Sequence, residues 1–132
     1  MPGFLTVHKD DVEWQDDHDF LALGEGVQVK VFDEDREAGR IDMLVKFPAG
    51  YVEPEHAHDS SHSICVLEGL QIVGGEHMRP GDYVWADRNV VHGPYEYPDG
   101  CMVFVSFRGD SSKHRYAGSD AGEIRDDEAR GN

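Results

Sequence analysis

The spacing of its apolar residues leaves this chain little choice of architecture. Between residues 27 and 107 they fall in short runs, each beside turn residues, at intervals of about 8–12 residues. Val27, Val29 and Val31 alternate with Gln28 and Lys30 up to the acidic turn Asp33-Glu34-Asp35, and Ile41 to Phe47 closes at Pro48-Ala49-Gly50. Ile64 to Leu67 precedes Glu68-Gly69, Leu70 to Val73 precedes Gly74-Gly75, Tyr83-Val84-Trp85 follows Pro80-Gly81-Asp82, and Met102 to Phe107 is the last strong run. Alternation of this kind puts every second side chain on one face of a strand. No window of a dozen residues carries the 3.6-residue repeat of an amphipathic helix. The expected fold is all-β, an antiparallel sandwich or barrel. With 132 residues the chain is one domain's worth, read as an N-terminal arm over 1–25, a barrel over 26–108 and a polar tail over 109–132. The tail is expected to be loose, or ordered only against a partner subunit.

Charge narrows the partners. Asp and Glu number 27 against 12 Lys and Arg, a formal net charge of −15. That excess opposes sequence-independent attraction to phosphate backbones and to anionic lipid, so neither nucleic acid nor a membrane surface is an expected partner. No apolar stretch approaches the roughly 20 residues of a membrane helix. The N-terminal residues show no basic region followed by an apolar one, so a cytoplasmic location is expected. Cys65 and Cys101 each sit in an apolar run and read as buried free thiols rather than a disulfide framework.

The segment from Gly50 to His62 carries the chemistry. His56 and His58 stand two apart, so a strand turns both imidazoles toward one point. The polar connection Asp59-Ser60-Ser61 allows a turn, after which His62 can face them from the next strand. His92, thirty residues on, is the fourth candidate, of the kind that closes a site inside a barrel. Imidazole suits Fe, Zn, Cu and Ni, whereas Mg and Ca want oxygen ligands. His56, His58, His62 and His92 are therefore candidate ligands of a divalent metal. His8, His18, His77 and His114 lack ligand spacing and read as surface or structural.

This pattern resembles the cupins. Their first motif runs Gly, five residues, His-x-His, three or four residues, Glu, six residues, Gly, and Gly50, His56, His58, His62 and Gly69 fall on it with the spacings kept. Pro80-Gly81-Asp82 and His92 match the second motif, and the likeness covers about residues 26–108. It implies a single-domain jelly-roll barrel, a double-stranded β-helix. Two departures stand out: His62 occupies the glutamate slot, leaving neutral ligands and a more Lewis-acidic ion, and the usual Asn after the last histidine is not evident in Gly93-Pro94-Tyr95-Glu96. Histidine-dominated sites look like those of β-diketone (acetylacetone), gentisate and thiol dioxygenases. The stretch from Pro80 to Val105 is also similar to anti-sigma-factor-type and dihydroxyacetophenone-dioxygenase-type cupins.

The resemblance implies Fe(II), with Zn, Ni or Mn as alternatives, and a dioxygenase acting on a small oxygen-chelating substrate such as a β-diketone, an α-hydroxyketone or a hydroxy acid. Four ligands on an octahedral ion leave two adjacent positions for substrate or for substrate and O₂. Phe47, Tyr51, Trp85 and Tyr95 adjoin the motifs as candidate pocket walls, with core packing the competing role. Glu53 and Glu55 read as a solvated strand edge or as groups steadying a ligand imidazole, Glu68 as a turn residue and Arg108 as a salt-bridge partner. Two other readings stay open: non-redox isomerase or lyase chemistry with Zn, Mn or Ni, and a metal-containing ligand-binding or sensing module. Cupins of this kind commonly pair through edge strands, so a homodimer is expected.

Overall fold

The computed structural model describes residues 3–18, 21, 23–57, 60–109, 115–120 and 123–126. Apart from a short 3₁₀ turn at Lys9–Asp11, the regular structure is strand throughout. In chain order the strands are β1 (Gln28–Asp35), β2 (Arg40–Phe47), β3 (Tyr51–Glu53), β4 (His56–Ala57), β5 (Ser61–Gly69), β6 (Gln71–Val73), β7 (Glu76–Met78), β8 (Tyr83–Ala86), β9 (Tyr95–Tyr97), β10 (Cys101–Arg108), β11 (Arg115–Asp120) and β12 (Glu123–Asp126). All pairings are antiparallel. A five-stranded sheet has the order β1-β2-β10-β5-β8, a four-stranded sheet runs β3-β9-β6-β7, and a third runs β12-β11-β4. The late strand β10 inserts between β2 and β5, which is how a jelly roll closes its two layers.

Register converts the alternation in the sequence into one buried face. Val45 lies opposite Val103 and Val103 opposite Val66; one step along, Met43 lies opposite Val105 and Val105 opposite Ile64. All six are buried. The next row is Ile41, Phe107, His62 and Ala86. His62 is thus in phase with Ile64 and Val66 and faces inward for the same reason they do. From the opposite layer come Tyr95 and Tyr97, with Phe47 stacked on Tyr97 at 3.9 Å between ring centroids. Gln71, fully buried, donates from Nε2 to the Tyr97 hydroxyl at 3.0 Å.

Gly69 closes β5 where a side chain has no room. Its φ is +83°, and a Cβ there would lie 2.4 Å from the Gly100 carbonyl oxygen.

The N-terminal segment is part of this packing. Gln15 exchanges two backbone hydrogen bonds with Val29, Leu21 is buried in the core and Leu23 packs against it. Trp14 lies under the ammonium groups of Lys30 and Lys46. A side chain at Gly24 would collide with the Tyr51 hydroxyl.

After residue 109 the backbone differs from the loose tail expected. β11 and β12 form a hairpin, and β11 pairs with β4, Arg115 opposite Ala57 and Tyr116 opposite His56. Backbone pairing does not require the apolar alternation that marks a strand in sequence, so a polar stretch can join a sheet without announcing it.

Candidate metal centre

His56 sits on β4, where a two-residue strand is held from both sides. On one side it exchanges backbone hydrogen bonds with His92, N to O at 3.0 Å and 2.9 Å, and on the other it lies opposite Tyr116 of β11. The bridge sets the two rings 4.4 Å apart edge to face, and the His62 ring stands 5.1 Å from that of His92. Three of the four candidate ligands therefore converge from β4, the start of β5 and the loop between β8 and β9. His58 lies outside the described residues. Among the described residues no group of three or more His, Cys, Asp or Glu side chains is disposed to hold a metal ion.

The donor chemistry nonetheless suits a divalent ion. His56 Nδ1 lies 2.8 Å from the carbonyl oxygen of Pro54, and His92 Nδ1 lies 2.7 Å from that of Val90, each two residues back along its own chain. A carbonyl only accepts, so both Nδ1 atoms carry the proton and, in the neutral rings, both Nε2 atoms carry the lone pair. This is how ligating imidazoles are ordinarily oriented, with the other ring N–H spent on a carbonyl or carboxylate. Burial, and secondarily the neighbouring His56, holds the His92 pKa below the usual histidine value, which favours the neutral form a metal needs.

A cavity opens in front of the His56 and His62 rings. His56, His62, Tyr95 and Glu53 line it together with apolar side chains from both layers and with Leu21 and Leu23 of the N-terminal segment. Phe47 and Tyr51 are in the wall as expected, and Tyr95, also in the wall, lies 5.9 Å from the His56 ring and 5.8 Å from the His92 ring. Trp85 is not in the wall. The alternation of β8 turns it outward, 51% exposed, with its indole N–H on Asp87 at 2.8 Å, because Ala86 takes the inward position opposite His62. Burial, and then the charge of Glu53, raises the pKa of the Tyr95 and Tyr97 phenols, which stay protonated at neutral pH. The Tyr95 hydroxyl is buried, with no hydrogen-bond partner among the described residues.

Sequence reasoning passed over Phe107, whose ring lies 5.0 Å from that of His62, and left Glu53 open between a solvated strand edge and a place beside a ligand imidazole, where the structure puts it in the cavity wall. The first was legible as the residue in phase with Val103 and Val105. The second was not, because it depends on a break in the strand at Pro54. Among the remaining residues, Cys65 and Cys101 are free thiols, Cys101 buried and Cys65 half-buried. Burial pushes the Cys101 thiol up to about 11. Arg108 is bound to Ser106 and approaches Asp42, a structural role as expected. His18 pairs with Glu34 at 3.2 Å and His77 is exposed, while His114 lies outside the described residues.

A family model described as the ChrR Cupin-like domain matches residues 4–109. The chain belongs to this cupin family. The match begins well before the barrel strands, in keeping with the packing of Gln15, Leu21 and Leu23. Comparison with curated proteins finds no match. Among solved structures, a candidate acetylacetone dioxygenase of Methylibium petroleiphilum PM1 is 23% identical, with a TM-score of 0.70 over 99% of this chain and 94% of that one. An acetylacetone dioxygenase from Acinetobacter johnsonii is 16% identical, with a TM-score of 0.67 over 99% of this cupin and 90% of its own chain. Rhodobacter sphaeroides SigE in complex with the anti-sigma ChrR is 24% identical, with a TM-score of 0.58 over 75% of this cupin and 51% of that chain. At these identities the likeness is one of fold.

Proposed function

We propose that this cupin is a metal-dependent enzyme, an Fe(II) dioxygenase acting on a small oxygen-chelating substrate of the β-diketone, α-hydroxyketone or hydroxy acid class. The observation that carries the reading is the matched pair of imidazoles, His56 and His92, each with Nδ1 spent on a carbonyl two residues back and Nε2 left as the lone-pair atom. His56, His62 and His92 would hold the ion, with His58 completing the set. A divalent ion there would supply Lewis acidity and, as Fe(II), the electrons that activate O₂.

The chain's own residues do the rest. The apolar wall built by Val45, Ile64, Val103 and Phe107 excludes water and suits a compact substrate with little charge. The protonated Tyr95 hydroxyl, beside the His56 and His92 rings, is a donor for a substrate oxygen in the cavity. Leu21 and Leu23 add two apolar side chains of the N-terminal segment to the cavity wall. The dioxygenases among similar structures support this reading, as does a site lacking the carboxylate of the usual cupin motif.

The proposal includes a homodimer in the cytoplasm. β8 is an outer strand of the five-stranded sheet with Tyr83 and Trp85 exposed on it, which supports pairing of two copies there. Among the described residues no helix is long and apolar enough to cross a membrane.

The test is O₂ uptake by iron-loaded protein offered a panel of β-diketones and α-hydroxyketones. Substrate-dependent consumption is expected. Stoichiometric zinc or nickel in the purified protein, with no uptake after iron loading, would sink the dioxygenase reading in favour of non-redox catalysis or ligand sensing.

A further inference from the structure

Glu53 is the one acidic side chain among the described residues lining the cavity, and no Lys or Arg among them lines it. The cations of the barrel strands are engaged elsewhere. Lys30 and Lys46 lie over the Trp14 ring, Arg40 pairs with Asp33 and Asp42, and Arg108 binds Ser106. On β3, Tyr51 and Glu53 line the cavity while Val52 between them is exposed, and Glu53 lies opposite Tyr95 across the β3/β9 register. The Glu53 side chain is only 15% exposed, so water screens its charge incompletely. Its field reaches the same wall: after burial, Glu53 is the second cause that keeps the Tyr95 phenol protonated.

A carboxylate in this position treats the three candidate substrate classes differently. An ionised carboxylate has lone pairs for several donors, so whatever else it holds, it can still accept from a ligand hydroxyl or enol. A β-diketone or an α-hydroxyketone enters the cavity uncharged, whereas a hydroxy acid is itself a carboxylate at neutral pH. Two like charges in a poorly solvated place repel strongly, and discrimination of this kind is the usual yield of a charge placed where one partner is unwelcome. A divalent ion held by the histidines would favour the anion, and Glu53 is the charge that opposes that preference.

We propose that Glu53 sets the charge specificity of the cavity, admitting uncharged β-diketones and α-hydroxyketones and turning away hydroxy acids and other carboxylates. The inference rests on the cavity being the substrate site and narrows the substrate class assigned to it.

Binding of two matched ligand pairs to the full chain as purified, followed by titration calorimetry under argon, tests it. Acetylacetone and acetoacetate share one skeleton, acetoin and lactate another, and in each pair a methyl group is exchanged for a carboxylate oxygen. Wild-type protein should bind the uncharged member of each pair about tenfold more tightly or better. Glu53→Gln, which removes the charge and keeps the size, should tighten acetoacetate and lactate by about tenfold and leave the uncharged pair within about twofold. Glu53→Asp, which keeps the charge, and Glu55→Gln, at an exposed neighbour outside the cavity, should both retain the preference. Folding of each variant is read from its circular dichroism, and the wild-type preference is a test that needs no variant. Wild-type protein that takes the carboxylates as tightly as their uncharged counterparts, or a preference that survives in folded Glu53→Gln, would overturn this assignment and leave the substrate site standing. Binding of none of the four ligands would overturn both.

Discussion

At the scale of single residues, hydrogen-bond bookkeeping makes the sharpest demands. Gln71 and Tyr97 form a buried polar pair in an otherwise apolar layer. Tyr97→Phe leaves the Gln71 amide without its acceptor and should destabilise the fold by about 1–3 kcal/mol. Urea denaturation measures it, and an unchanged midpoint would contradict the pairing. The same layer predicts a response to alkali. Burial, and then Glu53, raises the Tyr95 and Tyr97 phenol pKa values above the ordinary 10. A folded state that holds the neutral phenol contributes stability fully present below the unfolded pKa and lost as pH rises through 10 and above. Tyrosinate absorbance from these two rings should therefore appear together with loss of circular dichroism. Their ionisation in a chain that stays folded would contradict it.

Elements explain what could be read in advance and what could not. The strand runs Ile41 to Phe47, Ile64 to Leu67 and Met102 to Phe107 were legible because alternation and turn residues are local properties, and register then fixes which face is buried. His62 was legible for the same reason, as a member of the Ile64 and Val66 series. Trp85 was misplaced because adjacency to a motif says nothing about face; the phase of β8 gives the inward position to Ala86. The N-terminal segment was under-read: taken as an arm outside the barrel, it places Leu21 and Leu23 in the cavity wall. Leu21→Ala should cost about 2–5 kcal/mol, the range for a core leucine. Thermal unfolding checks it, and a change near zero would show the segment to be an appendage.

For the whole molecule, β2, β10, β5 and β8 supply one wall of the barrel, β3, β9, β6 and β7 the other, and the short β4 brings His56 against His92 between them. Fold follows from patterning, whereas the setting of the two imidazoles follows from two backbone carbonyls. Trp85, displaced from the cavity, then belongs to the outer surface. In the proposed dimer Trp85→Asp should shift the sedimentation coefficient to that of a monomer, and an unaltered dimer would move the interface elsewhere.

The central claim is that the barrel histidines hold one divalent ion. Elemental analysis of protein purified anaerobically without added metal, alongside His56→Ala and His92→Ala, tests it most directly. Close to one ion per wild-type chain is expected, and little in either variant. Wild-type protein without metal, or variants that retain it in full, would contradict the account.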